Sequence, residues 1–155
     1  MQGTERSRNA AHSADSFLGV WWLLSREDKA IDGSPRTEPT LGSDALGILT
    51  YANGKFSAQL MKRDRTEVVN IRNANGGLNN TGAVDGYDAF FGSYFVDEST
   101  GEVMHRLEGA LTADNVGMEV SRRLEVNGDE LKIKVETTTL DGEPVVRTLT
   151  WKRIG

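Results

Sequence analysis

Residues 47–61 have the sequence GILTYANGKFSAQLM, in which a turn dipeptide separates two strand-like runs. Asn53-Gly54 is the preferred pair for a type I′ hairpin turn, because both central residues of that turn need a positive φ. The predicted cross-strand pairs are Tyr51–Phe56 and Leu49–Ala58. One face of the hairpin is then apolar, so the segment predicts two antiparallel strands with one side packed on a core.

The rest of the chain predicts further strands separated by turns. An aromatic and β-branched run covers residues 20–25, and a meander of short strands follows residue 93. Turn residues recur roughly every 8–12 positions, which is typical of an all-β sandwich or barrel. Two segments are predicted otherwise: residues 62–86 as a long mobile connection, and residues 87–92 as a short helical turn closed by Gly92.

Composition indicates one soluble domain. The 155 residues suit a single core, and 37% of them are hydrophobic. Residues 1–16 are polar and without periodicity, so we expect a disordered tail followed by one β domain over residues 17–155. The net charge of −5 disfavours nucleic-acid binding, and the longest apolar run, residues 17–24, is too short to span a membrane. The absence of Cys excludes disulfides and is compatible with the cytoplasm, where we expect the protein.

Two arginines fall on a face that is otherwise apolar. An Asn127-Gly128 loop would pair Arg122 with Ile133, on the same face as Val120, Leu124, Leu131 and Val135. Arg147 shares a face with Val145, Leu149 and Trp151 by the same alternation. An inward guanidinium could recognise a carboxylate, enolate or carbonyl on an apolar ligand. It could equally form an internal ion pair with Glu108 or another acid, or lie at the barrel rim in water.

His105 is the histidine outside residues 1–16. It shares a strand face with Val103 and Leu107, but both faces of that strand are mixed, so its direction stays open. Near neutral pH a histidine can act as a general acid or base, and a structural role is the alternative. The candidate catalytic residues are His105, Arg122 and Glu108.

Aromatic side chains supply the candidate walls of a ligand pocket, or else fill a packed core. The candidate ligand-binding residues are Tyr51, Phe56, Gln59, Tyr87, Phe91, Tyr94, Arg122 and Arg147. One histidine in this part of the chain and no cysteine give a metal site no support. No nucleotide or flavin fingerprint is present either, so we expect neither a metal nor a cofactor.

The chain resembles the bacterial and fungal lipocalin-like domain family. The stretches that carry the resemblance are GVWWLLS at 19–25, GILTY at 47–51, GKFSAQLM at 54–61, YDAFFGSY at 87–94, HRLEG at 105–109, NVG at 115–117 and LTWKR at 149–153. The resemblance implies a closed, roughly eight-stranded up-and-down antiparallel barrel with an internal cavity. It also implies that Trp21 plugs the closed end of the barrel, stacked by a basic residue such as Arg153.

These observations favour a barrel that binds a small, largely apolar molecule with a polar end. One hypothesis is a cofactor-free isomerase or cyclase of a biosynthetic intermediate, which would fold its substrate by proximity. A second is a non-catalytic carrier or sensor of a lipid-like metabolite. A third is a packed barrel that acts as an interaction module or as an oligomer subunit, such as a homodimer.

Overall fold

The computed structural model describes residues 16–69 and 79–155. Residues 1–15 of the predicted tail at 1–16, and residues 70–78 of the predicted connection at 62–86, lie outside the described residues. The strands are β1 Gly19–Ala30, β2 Pro35–Arg36, β3 Leu46–Ala52, β4 Lys55–Met61, β5 Tyr87–Val96, β6 Glu102–Ala110, β7 Glu119–Asn127, β8 Glu130–Thr138 and β9 Pro144–Arg153. One 3₁₀ turn, Ala113–Asn115, precedes β7.

Eight of these strands close into a barrel. From β3 to β9 each strand pairs antiparallel with the next, β1 pairs with β3, and β9 returns to pair with β1. The two-residue β2 pairs only with β1, beside this ring. The prediction of a closed, all-β, up-and-down barrel is therefore confirmed. No helix in the described part of the chain is long or apolar enough to cross a membrane.

The β3–β4 hairpin has the predicted turn and register. Asn53 and Gly54 both take a positive φ, of 52° and 80°, as a type I′ turn requires. The observed pairs include Tyr51–Phe56 and Leu49–Ala58. All four of these side chains are buried, so this face of the hairpin packs into the barrel interior.

The predicted helical turn at residues 87–92 is wrong, because the whole segment belongs to β5. Gly92 lies inside the strand, where a β-bulge shifts its register against β6 after Phe91. A Cβ at Gly92 would lie 1.8 Å from the carbonyl oxygen of Arg106. This glycine therefore allows a close approach of two strands and does not end a helix.

The β7–β8 hairpin differs from the prediction in its loop. Asn127 pairs with Glu130, so the loop residues are Gly128 and Asp129, not Asn127 and Gly128. The Asp129 carbonyl accepts a hydrogen bond from the Arg153 amide at 2.8 Å, a contact with β9 that local sequence does not show. The register therefore moves by two residues. Because side chains alternate with a period of two, the inward set is unchanged.

One end of the barrel is plugged by side chains. Trp21 is fully buried, and the guanidinium carbon of Arg153 lies 4.2 Å from the centre of its ring. The indole Nε1 donates to the carbonyl of Phe17, and the Phe17 ring packs edge-on against Tyr51 and Tyr94. Arg153 also donates to the carbonyls of residues 16 and 18. The structure thus confirms the expected stacking at Trp21.

Candidate ligand-binding cavity

The barrel interior contains a cavity of about 80 Å³ between this plug and the opposite end of the barrel. A buried water needs roughly 10–15 Å³ on the same measure, so the cavity has room for a small organic molecule or several waters. Its walls are mostly apolar and include Leu49, Ala58, Phe90, Val120, Ile133 and Trp151. Close to half of the lining side chains are polar or charged, and they include Arg26, Asp88, His105, Arg122 and Arg147. A cavity that combines apolar walls with convergent polar groups is the usual form of a small-molecule site.

Tyr51 and His105 form a buried pair on the cavity wall. The Tyr51 hydroxyl lies 2.6 Å from Nε2 of His105, and the ring of Phe56 packs edge-on against the imidazole at 4.5 Å between centres. His105 faces inward with Val103 and Leu107, which answers the question that the sequence left open. Its Nδ1 has no hydrogen-bond partner among the described residues. This nitrogen is the polar atom of the pair that a ligand or water could still engage.

Burial keeps both members of this pair neutral. Desolvation, with a smaller contribution from the positive charge of Arg122, lowers the pKa of His105 to about 3. Burial likewise raises the pKa of the Tyr51 hydroxyl far above its ordinary value. At neutral pH the pair is therefore an uncharged hydrogen-bond donor and acceptor.

Arg122 lies on the same wall as a buried cation. Its Nη1 donates to the carbonyls of Asn79 at 2.8 Å and Ser121 at 2.9 Å, and its Nη2 donates to Oδ1 of Asn80 at 3.4 Å. None of these partners is charged, and no carboxylate among the described residues lies within ion-pair distance. Burial lowers the pKa of Arg122 to about 10, so the guanidinium still carries its charge at neutral pH. Its positive charge thus lacks a counter-ion in the described structure.

The other two cavity arginines have carboxylate partners. Arg147 makes a bidentate ion pair with Asp28, at 2.7 and 2.9 Å, and both side chains are buried. Arg26 pairs with Glu38 at 2.8 Å. For Arg147 the structure therefore contains the internal ion pair that the sequence left as an alternative, with Asp28 as the acid. The sequence did not identify Asp28 as the partner, because the pairing of β1 with β9, which brings residues 28 and 147 together, was not predicted.

Asp88 is a cavity residue that the sequence analysis did not identify. It is 5% exposed, and its Oδ2 accepts a hydrogen bond from the Thr81 hydroxyl at 2.5 Å. Burial raises the pKa of Asp88 to about 6. Because residues 87–92 were predicted as a helical turn, the sequence analysis did not place Asp88 on an inward strand face. Strand alternation would have placed positions 88, 90 and 92 on one face.

A family model described as a lipocalin-like domain matches residues 18–154, which is nearly the whole chain. The chain belongs to the lipocalin-like domain family. No curated protein matches the chain in a sequence comparison. A lipocalin-like barrel with a cavity is suited to ligand binding in general, while the ligand itself has to be inferred from the side chains.

Within this lipocalin-like barrel, several predicted site residues lie away from the cavity. Glu108 is on the outer face, where it accepts hydrogen bonds from Lys55 at 2.9 Å and from Ser93 at 2.8 Å. These contacts hold the pKa of the Glu108 carboxyl below its usual value. The structure therefore separates Glu108 from His105 and Arg122.

The predicted aromatic and amide contacts divide in the same way. Phe91 and Gln59 are exposed on the outer face, and Gln59 accepts a hydrogen bond from the half-buried Tyr87 at 3.0 Å. Tyr94 packs with Phe17 at the plugged end. The predicted ligand contacts that line the cavity are Tyr51, Phe56, Arg122 and Arg147.

Proposed function

We propose that this lipocalin-like barrel binds a small, largely apolar molecule whose oxygen-bearing end contacts Arg122. The observation that carries the proposal is a buried guanidinium on an apolar cavity wall with no carboxylate partner in the described structure. A buried charge is costly unless it is paired. A ligand carboxylate, enolate or carbonyl oxygen at Arg122 would offset part of that cost, while the ligand's apolar body would fill the cavity.

The same geometry supports a cofactor-free isomerase or cyclase. The cavity wall would hold a flexible substrate in a reactive shape, and Arg122 would stabilise negative charge that develops on the substrate oxygen. That oxyanion would also offset the repulsion between Arg122 and a protonated His105, the smaller cause of the low pKa of the imidazole, while desolvation, the larger cause, would remain. The Tyr51–His105 pair could then hold or release a proton beside the substrate.

A non-catalytic carrier is the second candidate, and one observation favours it. His105 is a poor base, because burial lowers its pKa to about 3. Glu108, which the sequence offered as a second proton carrier, lies on the outer surface. A carrier would need only the apolar walls and the oxygen contact at Arg122, and it would release its ligand unchanged.

The first experiment is native mass spectrometry of the purified protein, with organic extraction of any molecule that co-purifies. We expect a bound small molecule of low polarity that carries an oxygen function. Conversion of that molecule during incubation would identify an enzyme, and its recovery unchanged would identify a carrier.

Arg122→Met and Arg123→Met form the matched pair of variants. Arg123 is the next residue on the same strand, but it is exposed and lies 3.9 Å from Glu102 on the outer face. We expect Arg122→Met to fold and to lose the bound molecule or its turnover, and Arg123→Met to keep both. If Arg122→Met binds the molecule as well as the wild type does, or if it fails to fold, Arg122 has a structural role and the proposal is wrong.

A further inference from the structure

Two charged side chains on the cavity wall lack an ion-pair partner among the described residues, and they have opposite signs. Arg122 is one of them, and Asp88 is the other. The remaining charged side chains of the cavity belong to two ion pairs, Arg26–Glu38 and Arg147–Asp28. Within each pair the two charges neutralise one another. Among the described residues, the cavity therefore has one carboxylate and one guanidinium that are not part of an ion pair.

The strand register places Asp88 and the Tyr51–His105 pair, whose imidazole lies within range of the charge of Arg122, at different depths in the barrel. Across β4 and β5, Asp88 lies opposite Leu60, while Gly92 lies opposite Phe56. Phe56 is the residue whose ring packs on His105, the imidazole whose pKa the charge of Arg122 helps to lower. Residues 88 and 92 are four positions apart, which corresponds to roughly 13 Å along a strand.

On the side of the barrel formed by β4 and β5, the wall between these two levels is apolar. Ala58 pairs with Phe90 midway between the Asp88 and Gly92 levels, and both line the cavity. A molecule that extends along this side from the level of His105 to Asp88 must therefore cross an apolar section. That requirement describes an elongated ligand with a polar group at each end.

We propose that the ligand carries, in addition to the oxygen held by Arg122, a hydrogen-bond donor at its opposite end that binds the carboxylate of Asp88. The donor is a hydroxyl or an ammonium group, since either satisfies a carboxylate oxygen. This inference rests on the proposed function and specifies its ligand class, an apolar molecule with an acceptor at one end and a donor at the other.

Asp88 has free capacity for such a contact. An ionised carboxylate offers about four acceptor positions, and the described contacts of Asp88 are the Thr81 hydroxyl and a backbone hydrogen bond at Ala89. Arg26 is the cation whose charge acts on Asp88, and its Nη1 is engaged by Glu38. At pH 7.5 Asp88 is mostly ionised, because that pH lies above its pKa of about 6.

The test compares four probes that share an eight-carbon chain: octanoic acid, 8-hydroxyoctanoic acid, 8-aminooctanoic acid and 1-octanol. Binding to the full chain is measured by isothermal titration calorimetry at pH 7.5. We expect the wild type to bind at least one of the two bifunctional acids about tenfold more tightly than octanoic acid, which is typical of a hydrogen bond to a buried charged group. The hydroxy and amino probes distinguish the two kinds of donor.

Asp88→Asn keeps the size of the side chain and an acceptor for Thr81, but it removes the negative charge. We expect this variant to lose most of the preference for the bifunctional acid over octanoic acid. Asp44→Asn is the control, because it makes the same chemical change at an exposed acid. Asp88→Ser, with a smaller side chain, provides a second variant if Asp88→Asn does not fold.

The outcomes separate this inference from the proposed function. If octanoic acid binds the wild type as tightly as both bifunctional acids, or if the preference survives in Asp88→Asn, the role of Asp88 is wrong. Arg122→Met should weaken binding of all three acids and bring octanoic acid to the level of 1-octanol. If octanoic acid and 1-octanol already bind the wild type equally, or if none of the four probes binds, the proposed function itself fails.

Discussion

At the scale of single residues, His105 shows how strongly burial controls charge in this barrel. Its pKa is lowered to about 3, so its ring should stay neutral throughout the range from pH 5 to pH 8. We expect its ring signals in an NMR titration to show no midpoint in this range. His12→Gln leaves His105 as the single histidine and removes any ambiguity of assignment. A midpoint near 6.5 would contradict the buried placement.

The lowered pKa of His105 also predicts the direction of a pH effect on stability. As pH falls below 6.5, His105 binds a proton in the unfolded chain but stays unprotonated in the folded chain. His105 therefore reduces the free energy of unfolding progressively between about pH 6.5 and pH 3. Replacing it with Gln should make the stability of the protein less sensitive to acid, as measured by urea denaturation at several pH values.

Asp88 should have the opposite effect. Its pKa in the folded state is raised to about 6 from 3.8, so its ionisation opposes folding. The cost is absent below about pH 4, where both states are protonated, and complete above about pH 6. The difference corresponds to roughly 3 kcal/mol. We expect Asp88→Asn to stabilise the protein at pH 7 by up to that amount and to change little at pH 4, with Asp44→Asn as the control in urea melts.

The sequence predicted the direction of some site residues but not their partners. Alternation along a strand placed Arg122 and Arg147 inside, because it depends only on position parity. The partner of Arg147 is on β1, near the other end of the sequence, and no local sequence pattern contains that information. Asp88 was hidden by a wrong element type, since an aromatic run closed by glycine fits a helix end as well as a strand with a bulge.

At the scale of elements, β5 and β6 depend on two glycines with different surroundings. A Cβ at Gly92 would meet backbone atoms of Arg106, whereas a Cβ at Gly109 would meet the ring of Phe91. The Phe91 side chain is 56% exposed and can move away, but the backbone cannot. We expect Gly92→Ala to destabilise the protein by more than about 2 kcal/mol and Gly109→Ala by clearly less. Equal losses in thermal or urea melts would contradict this account of the bulge.

The hairpins were the most predictable elements, although the loop residues of one of them were not predicted correctly. The Asn53-Gly54 loop was correct because the turn chemistry and the apolar pattern agree on one register. At Asn127-Gly128 the pattern allows two registers that differ by two residues, and contacts of Asp129 with Arg153 accompany the observed one. Such a shift leaves the inward face intact, so the interior residues were predicted correctly.

At the scale of the whole molecule, the three tryptophans report on three regions. Trp151 lines the cavity, Trp21 lies in the plugged end, and Trp22 is 41% exposed on the outside. We expect octanoic acid to change the tryptophan emission of the wild type and of Trp22→Phe, but to have much less effect in Trp151→Phe. A response that disappears in Trp22→Phe instead would place the ligand on the outer surface.

The closed ring of strands also affects how the protein folds during its synthesis. β1 is the first strand of the barrel and β9 the last, and the barrel is complete only when the two meet, as in the Asp28–Arg147 contact. Contacts between such distant positions slow folding, because a long loop must close before they form. During synthesis, β1 therefore emerges from the ribosome long before its β9 partner. Until translation reaches β9, the nascent sheet exposes the unpaired edge of β8, a state that chaperones can recognise and that can aggregate.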